Sequence, residues 1–524
     1  MVHKCRIEKA KDGHRVPIVA CDGKDVHLGS MYDGKYAAKQ WVEANVRKDM
    51  ENIFIFGMGD GEILLQVRHV IPGNIVVYEP NEEIYREMRH SPLIKKAVSD
   101  RRISIQHGTT AENVTELYEA LCVVLNDNWV DETVAVCLPA YNRLYPKTLK
   151  MFLDICRDLA QQVKDMRAAI KRFNRAMTVN QIHNIPYMEN GVLLTRLKEG
   201  WRKEIPVIIV SGGPSLHKNV ECLREAKGKA YLFCVDVALP TLLAHGIRPD
   251  LVGCLDAEKN MSFYRDESSH DIPLLVTEQA PAELLQKSTG KRVWTFLNSY
   301  MKAVAENAGV GSPQIQYHLG VAVQLFASAL ELGADEIILV GQDLSYSEDG
   351  RTHADGRNEG MEKDERYLLD GYYGKKVWSR YDWYITWEWF EQTIRDYPDR
   401  TYINATEGGV RIAGMLQKSL KEVVETLGVP EEPADLAPVL AEERFALRAE
   451  EFDLFMAERA RCMEELEMMR RQGYHKTFFE EDYRKLPAAR LVIDTMKSLD
   501  EPSRQKRFEQ ALDYVEDLCK KEIG

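Results

Sequence analysis

The sequence has no long hydrophobic run. None of its apolar stretches approaches the roughly 18–20 residues that a membrane span needs, so no membrane span is expected. Residues 1–20 are polar and basic and lack the apolar core of about 7–15 residues that a secretory leader carries, which makes the expected location cytoplasmic. The ten cysteines, from Cys5 to Cys519, include no C-x-x-C pair. Cys137, Cys234 and Cys254 fall in apolar, strand-like runs where a reduced thiol packs as a small hydrophobe, so neither a disulfide framework nor a zinc site is expected. Positive charge is short as well: 69 Lys and Arg against 82 Asp and Glu leave a formal net charge of −13. That balance speaks against nucleic acid as the main partner, which needs a concentrated basic surface. It leaves room for a small anionic ligand such as a nucleotide, which feels only the local field.

What is present is the make-up of a folded protein, 45% apolar and 29% charged. The 524 residues exceed one ordinary core and suggest about three domains. In the first region, β-branched runs at Ile53–Gly57, Ile75–Glu79, Ile103–His107 and Val134–Leu138 alternate with helical stretches, the pattern of a helix-covered parallel sheet. Gly57, Gly59 and Gly61 sit where the first strand turns into a helix, and Glu79 closes the next strand about twenty residues later, where a dinucleotide fold places an acid on a ribose hydroxyl. The G-x-G-x-G spacing is shorter than the full fingerprint, so a Rossmann-like domain without a ligand is the competing reading.

Residues 168–201 are basic and helical and read as a solvated bridge. Strand-like runs resume at Val207–Val210, Tyr231–Val235, Leu251–Leu255, Leu274–Thr277, Val293–Phe296, Glu336–Val340 and Thr401–Ile403, a second parallel α/β unit. Pro430, Pro433 and Pro438 in an acidic stretch read as a linker. The apolar spacing from Phe445 to Met469 predicts an amphipathic helix ended by Gly473, with further helices at about 480–498 and 502–521. The expected architecture is α/β: two Rossmann-like parallel-sheet domains over 1–170 and 171–428, then a small all-helical domain over 429–524 that is also the expected homo-oligomer contact.

The chemistry concentrates in the second unit. Ser211, Gly212, Gly213, Pro214 and Ser215 break an apolar strand with a small-residue turn before a helix, a geometry suited to phosphate, although the lysine-serine ending of a Walker loop is absent. Asp236, Asp250, Asp256, the run Gly341 to Leu344 and the run Asn404 to Gly409 lie next to apolar strands, the ligand edge of an open parallel sheet. Trp383, Trp387 and Phe390 recur at i, i+4 and i+7, which assigns them to a core-facing helix stripe rather than to a site.

In order and spacing these segments resemble the motility accessory factor family over about 240 residues: Ser-Gly-Gly-Pro-Ser-Leu at 211–216, Asp236, Gly-Ile-Arg-Pro-Asp at 246–250, Leu-Asp at 255–256, Gly-Gln-Asp-Leu-Ser-Tyr at 341–346, His353, and Asn-Ala-Thr-Glu-Gly-Gly at 404–409. Leu-Gly-Ser-Met-Tyr-Asp at 28–33 and the glycines at 57–61 are similar to the family's preceding domain, whereas His318 departs from the small-residue pair usual before Val-Ala. The resemblance implies a sialyltransferase-like glycosyltransferase that moves a nonulosonic (sialic-acid-like) sugar from a CMP-activated donor to Ser or Thr of flagellin. It implies that Ser211, Gly212, Gly213, Pro214 and Ser215 hold the nucleotide, that Asp236 faces it, and that Asp256, Gln342 and Asp343 line the sugar side. Asp343 and His353 are the candidate catalytic bases. The chemistry then requires no cofactor beyond the CMP-sugar substrate. Mg²⁺ on Asp250 and Asp256 belongs to the alternative, an ATP-dependent transfer like that of 6-hydroxymethylpterin diphosphokinases, which share the Gly-Pro-Ser-Leu pattern. A non-catalytic flagellin-binding or assembly factor is the third reading.

Overall fold

The computed structural model describes residues 5–125, 130–258, 261–297, 299–311, 320–354, 367–473, 486–499 and 503–523, so His318 lies outside the described residues. The chain forms two compact units, Met1–Arg172 and Phe173–Gly524.

The first unit opens with strands β1 (Cys5–Lys9), β2 (Arg15–Cys21) and β3 (Lys24–His27), paired antiparallel in that order. Asp22 and Gly23 join the last two with φ of 51° and 72°, the left-handed pair that a two-residue hairpin turn requires. Strands β4 (Asn52–Phe56), β5 (Ile75–Glu79), β6 (Ile103–His107) and β7 (Thr133–Cys137) then form a parallel sheet in the order β6-β5-β4-β7. Their β-branched and aromatic residues sit between helices, and the central pair β4 and β5 is buried throughout.

The second unit is built on nine parallel strands: β8 (Val192–Leu193), β9 (Val207–Val210), β10 (Tyr231–Val235), β11 (Leu251–Cys254), β12 (Leu274–Thr277), β13 (Arg292–Thr295), β14 (Glu336–Val340), β17 (Thr401–Asn404) and β18 (Leu416–Gln417). A separate hairpin comprises β15 (Tyr367–Asp370) and β16 (Lys376–Ser379). The sheet order is β18-β17-β14-β9-β10-β11-β12-β13-β8. From β9 the chain winds one way through β10 to β13 and then returns to place β14 on the other flank of β9, so the strand order reverses between β9 and β14. At such a point the connections leave in opposite directions and a crevice opens above the carboxyl ends of the strands.

Two sequence expectations change. From Asn174 onward the bridging stretch is not a solvated face, because Asn174, Thr178, Asn180 and Gln181 are buried at the end of a helix over Pro146–His183. Asn180 Nδ2 donates to the carbonyls of Ala257 (3.1 Å) and Gln279 (2.8 Å), and Asn184 Nδ2 to those of Glu278 (3.0 Å) and Ala280 (2.7 Å), so the segment fixes the loops that leave β11 and β12. The Pro430–Pro438 stretch is not a free linker either: Ala434, Leu436 and Leu440 are buried, and the Ala434 N–H donates to the Gly228 carbonyl at 2.8 Å. Apolar side chains at every second to fourth position outweigh the local proline signal.

The helices Ala449–Gln472, Pro487–Lys497 and Arg504–Ile523 pack into the same hydrophobic core as the nine-stranded sheet. Phe455 meets Phe296, which directly follows β13, with ring centroids 6.0 Å apart. No disulfide joins the ten cysteines, all of them among the described residues. Among the described residues, no helix is long and apolar enough to cross a membrane.

Candidate functional site at the strand reversal

The turn after β9 and the turn after β14 are built into one another. The Ser211 N–H donates to the Val340 carbonyl and the Gly213 N–H to the Gly341 carbonyl, both at 2.8 Å. The contact tolerates no side chain: a Cβ on Gly213 would lie 2.1 Å from Asp343 Oδ2 and 2.5 Å from the Gly341 carbonyl oxygen, and one on Gly341 would lie 2.3 Å from the Ser211 carbonyl oxygen. Gly341 takes a positive φ of 67°, which glycine adopts without steric cost. Ser211 Oγ donates to Gln342 Oε1 at 2.5 Å, and the Gln342 N–H donates to Thr406 Oγ1 at 3.2 Å, so the turns after β9, β14 and β17 form one hydrogen-bonded shelf.

Asp343 lies on that shelf, 7% exposed. Its Oδ2 accepts the Ser215 hydroxyl at 2.7 Å and the Ser215 N–H at 3.2 Å. Burial pushes its carboxyl up to about 6, against the opposite pull of the two Ser215 bonds and of the Lys218 charge. That value suits a group that takes a proton near neutrality. The next residue, Leu344, has a φ of 49°, an unusual conformation for a large side chain and one that clusters at functional turns.

A cavity of about 330 Å³ opens over the shelf. Of the residues expected from sequence, Ser211, Gly212, Gly213, Asp236, Asp256, Gln342, Asp343 and His353 line it. Asp236 is buried and accepts the Val237 N–H at 2.7 Å, whereas Asp256 is exposed. His353 is half-buried, with Nδ1 at 2.9 Å from Thr352 Oγ1, and its loop is tied down by the Ala354 N–H, which donates to the Gly212 carbonyl at 2.9 Å. Pro214 and Ser215 do not line this cavity. The turn carries them to a second one of about 550 Å³, which shares only Asp343 and Ser345 with the first.

Three contributors to the cavity were not foreseen from sequence. The helix Val321–Leu332 begins there at Gly320 without a side-chain cap, leaving free N–H groups and a positive dipole end toward the space. Arg380 brings a guanidinium, paired with Asp382 at 2.8 Å and lying 4.0 Å from the centroid of Trp383. Trp383 itself lines the cavity with Thr386, while Phe390 further along the same helix is fully buried as its spacing predicted. A helix start offering N–H groups shares one crevice with the glycine turn, with acids and with an aromatic ring. That arrangement accommodates a phosphate at one end and a polyhydroxylated group at the other.

Asp250 and Asp256 do not share a site. Asp250 precedes β11 and Asp256 follows it, so they occupy opposite ends of the strand. The Asp250 carboxylate is ion-paired with Lys227 and accepts the Leu232 N–H at 2.8 Å. The Mg²⁺ pair expected from sequence is therefore corrected, and among the described residues no three His, Cys, Asp or Glu side chains are grouped to hold a metal ion.

Glu79 in the first unit is fully buried and accepts the Tyr141 hydroxyl at 2.5 Å and the Met58 and Asn81 N–H groups at 3.1 and 3.0 Å. Burial pushes its carboxyl up to about 7. A Cβ on Gly57 would meet the Tyr141 ring at 2.7 Å and one on Gly59 the Leu28 carbonyl at 2.8 Å, so the loop's glycines serve close packing within the unit. The ribose role foreseen for Glu79 is thus replaced by a structural one.

The fold is that of an α/β protein with a crevice at the reversal point of a parallel sheet. Residues 179–349 match the family described as 6-hydroxymethylpterin diphosphokinase MptE-like. The fold is that of the Maf glycosyltransferase from Magnetospirillum magneticum AMB-1, with a TM-score of 0.60 at 18% identity over 99% of this chain and 86% of that one. The first match covers about a third of the chain, and the second shows the fold. No curated protein matches the sequence.

Proposed function

We propose that the chain is a cytoplasmic glycosyltransferase that moves a nonulosonic sugar from a CMP-activated donor to Ser or Thr hydroxyls of flagellin. The observation that carries this reading is Asp343: a buried carboxylate with its pKa near 6, set in one crevice with an uncapped helix start. The helix start stabilises the phosphate as it departs, with Arg380, paired to Asp382, in the same cavity. The acceptor oxygen bonds to the anomeric carbon, the carbon–oxygen bond to phosphate breaks with its electron pair leaving on CMP, and the acceptor proton passes to Asp343. His353 lies in the same cavity and is the alternative proton acceptor. The three helices beyond residue 449 are the surface through which copies of the chain would associate.

The test is the intact mass of flagellin coexpressed with this protein and a nonulosonate pathway. The glycan mass increment should appear with the wild type and vanish with Asp343→Asn. Persistence of the increment in both Asp343→Asn and His353→Ala would leave no proton acceptor among the candidates. The diphosphokinase alternative predicts ATP-dependent activity abolished by chelation, and an assembly factor predicts flagellin binding unchanged by either substitution with no mass increment at all.

A further inference from the structure

Asp343 stands between two cavities, and its two oxygens are treated differently. Oδ2 is held by Ser215. Oδ1 accepts no hydrogen bond from another described residue and lies toward Gly408, where an added Cβ would stand 3.1 Å from it. Gly408 lines the second cavity and not the first. Both oxygens of the proposed base thus approach residues that line the second cavity, Ser215 at Oδ2 and Gly408 at Oδ1, and only Oδ1 is left unengaged.

The walls of that cavity differ from those of the first. Tyr346, Tyr372, Tyr373 and Val377 supply rings and hydrocarbon. The two neighbouring tyrosines meet edge-on with centroids 4.9 Å apart, and their hydroxyls are anchored on backbone, Tyr372 on the Lys418 carbonyl at 2.8 Å and Tyr373 on the Glu407 carbonyl at 3.0 Å. Tyr373 is nonetheless 68% exposed, a rigid ring standing at the surface. Two of the cations there are already engaged: Arg351 pairs with Asp349 at 2.7 Å, and Lys218 donates to the Glu407 carbonyl at 3.2 Å. Preordered tyrosines with polar tips favour a polypeptide, because they bury large area at little cost in side-chain entropy.

We infer that the second cavity receives the acceptor, a polypeptide segment that presents a Ser or Thr hydroxyl to Asp343 Oδ1 while the nucleotide-sugar occupies the first. The assignment rests on the glycosyltransferase reading above and adds where the acceptor enters and which side chains select it. Tyr373 and Lys375 are the selecting residues, since both lie on the turn between β15 and β16 and border the cavity. In the transfer, the hydroxyl oxygen bonds to the anomeric carbon of the donor, CMP leaves with the electron pair, and the hydroxyl proton moves to Oδ1.

Two measurements on the full chain test this: CMP affinity by calorimetry, and glycan occupancy of coexpressed flagellin by intact mass. The Tyr373→Ala/Lys375→Ala variant should bind CMP as the wild type does, yet lower occupancy about tenfold, the loss expected on removing one aromatic anchor of roughly 1.4 kcal/mol. Tyr373→Phe, which keeps the ring, should retain most of the occupancy. A fall in CMP affinity in the double variant would put the nucleotide in the second cavity and overturn the assignment, and so would undiminished occupancy. A wild type that neither binds CMP nor modifies flagellin would instead defeat the glycosyltransferase reading, and this inference with it.

Discussion

Ser215 binds one oxygen of Asp343 twice, through its hydroxyl at 2.7 Å and its N–H at 3.2 Å, and leaves the other oxygen to the cavity. A carboxylate that works as a base has to be ionised, and burial sets this one to titrate at about 6. Turnover should therefore rise with pH through about 6 and level off above it. Ser215→Ala removes the two contacts' main lowering influence, so the rising limb of its pH profile should move to higher pH. Asp343→Asn should lower kcat roughly 10²–10⁴-fold. Because the folded-state pKa is raised, the stability linked to protonated Asp343 is complete below the ordinary carboxylate range and lost as pH climbs through about 6. Asp343→Asn should consequently melt no lower than the wild type at about pH 8, as scanning calorimetry would read.

A methyl group separates two glycines that look alike in sequence. Gly213→Ala would force its Cβ to within 2.1 Å of Asp343 Oδ2 and 2.5 Å of the Gly341 carbonyl oxygen, whereas an added Cβ on Gly311 meets nothing within 4 Å. Overpacking of that kind costs about 1–3 kcal/mol. Gly213→Ala should lower the midpoint of chemical unfolding and abolish glycosylation, and Gly311→Ala should do neither.

The opposite ends of β11 give a second contrast. Asp250→Asn should leave flagellin occupancy near the wild-type level, while Asp256→Asn should reduce it, since only Asp256 lines the crevice. Lys227→Met strips the partner from the buried Asp250 carboxylate and should destabilise the unit by about 1–3 kcal/mol without changing CMP affinity. Urea unfolding monitored with and without CMP separates the two effects.

Glu79 should show itself as a pH-dependent weakness of the first unit. Its folded-state carboxyl is raised to about 7, so the stability it contributes is complete below its unfolded value and lost as pH rises through about 7. Thermal unfolding should begin earlier at about pH 8 than at about pH 5. Glu79→Gln, which cannot ionise, should flatten that dependence.

The positions of the strands were legible because apolar β-branched runs between polar turns have few alternatives: Tyr231–Val235, Leu274–Thr277 and Glu336–Val340 are strands over the residues expected. The acids of the site were legible for a related reason, since strand ends in a parallel sheet share one edge. Arg380 and Trp383 were not, because they sit on a helix whose spacing also describes plain core packing, and only the tertiary fold brings its first turn over the crevice. The hairpins of the first unit had a readable sign in Asp22-Gly23, a strong two-residue turn signal, overshadowed by the polar composition around it. The ends of the turn at 211–215 diverge because Ser215 is turned toward Asp343, a partner 128 positions away in the chain that no local pattern reveals.

The shared core of sheet and terminal helices bears on how this protein can be trimmed. A fragment cut to the matched stretch 179–349 would forfeit Thr406 and Gly408 from around Asp343 and strip Phe455 from Phe296. The smallest piece worth expressing runs from Phe173 to the last helix, and shorter ones should be recovered from inclusion bodies.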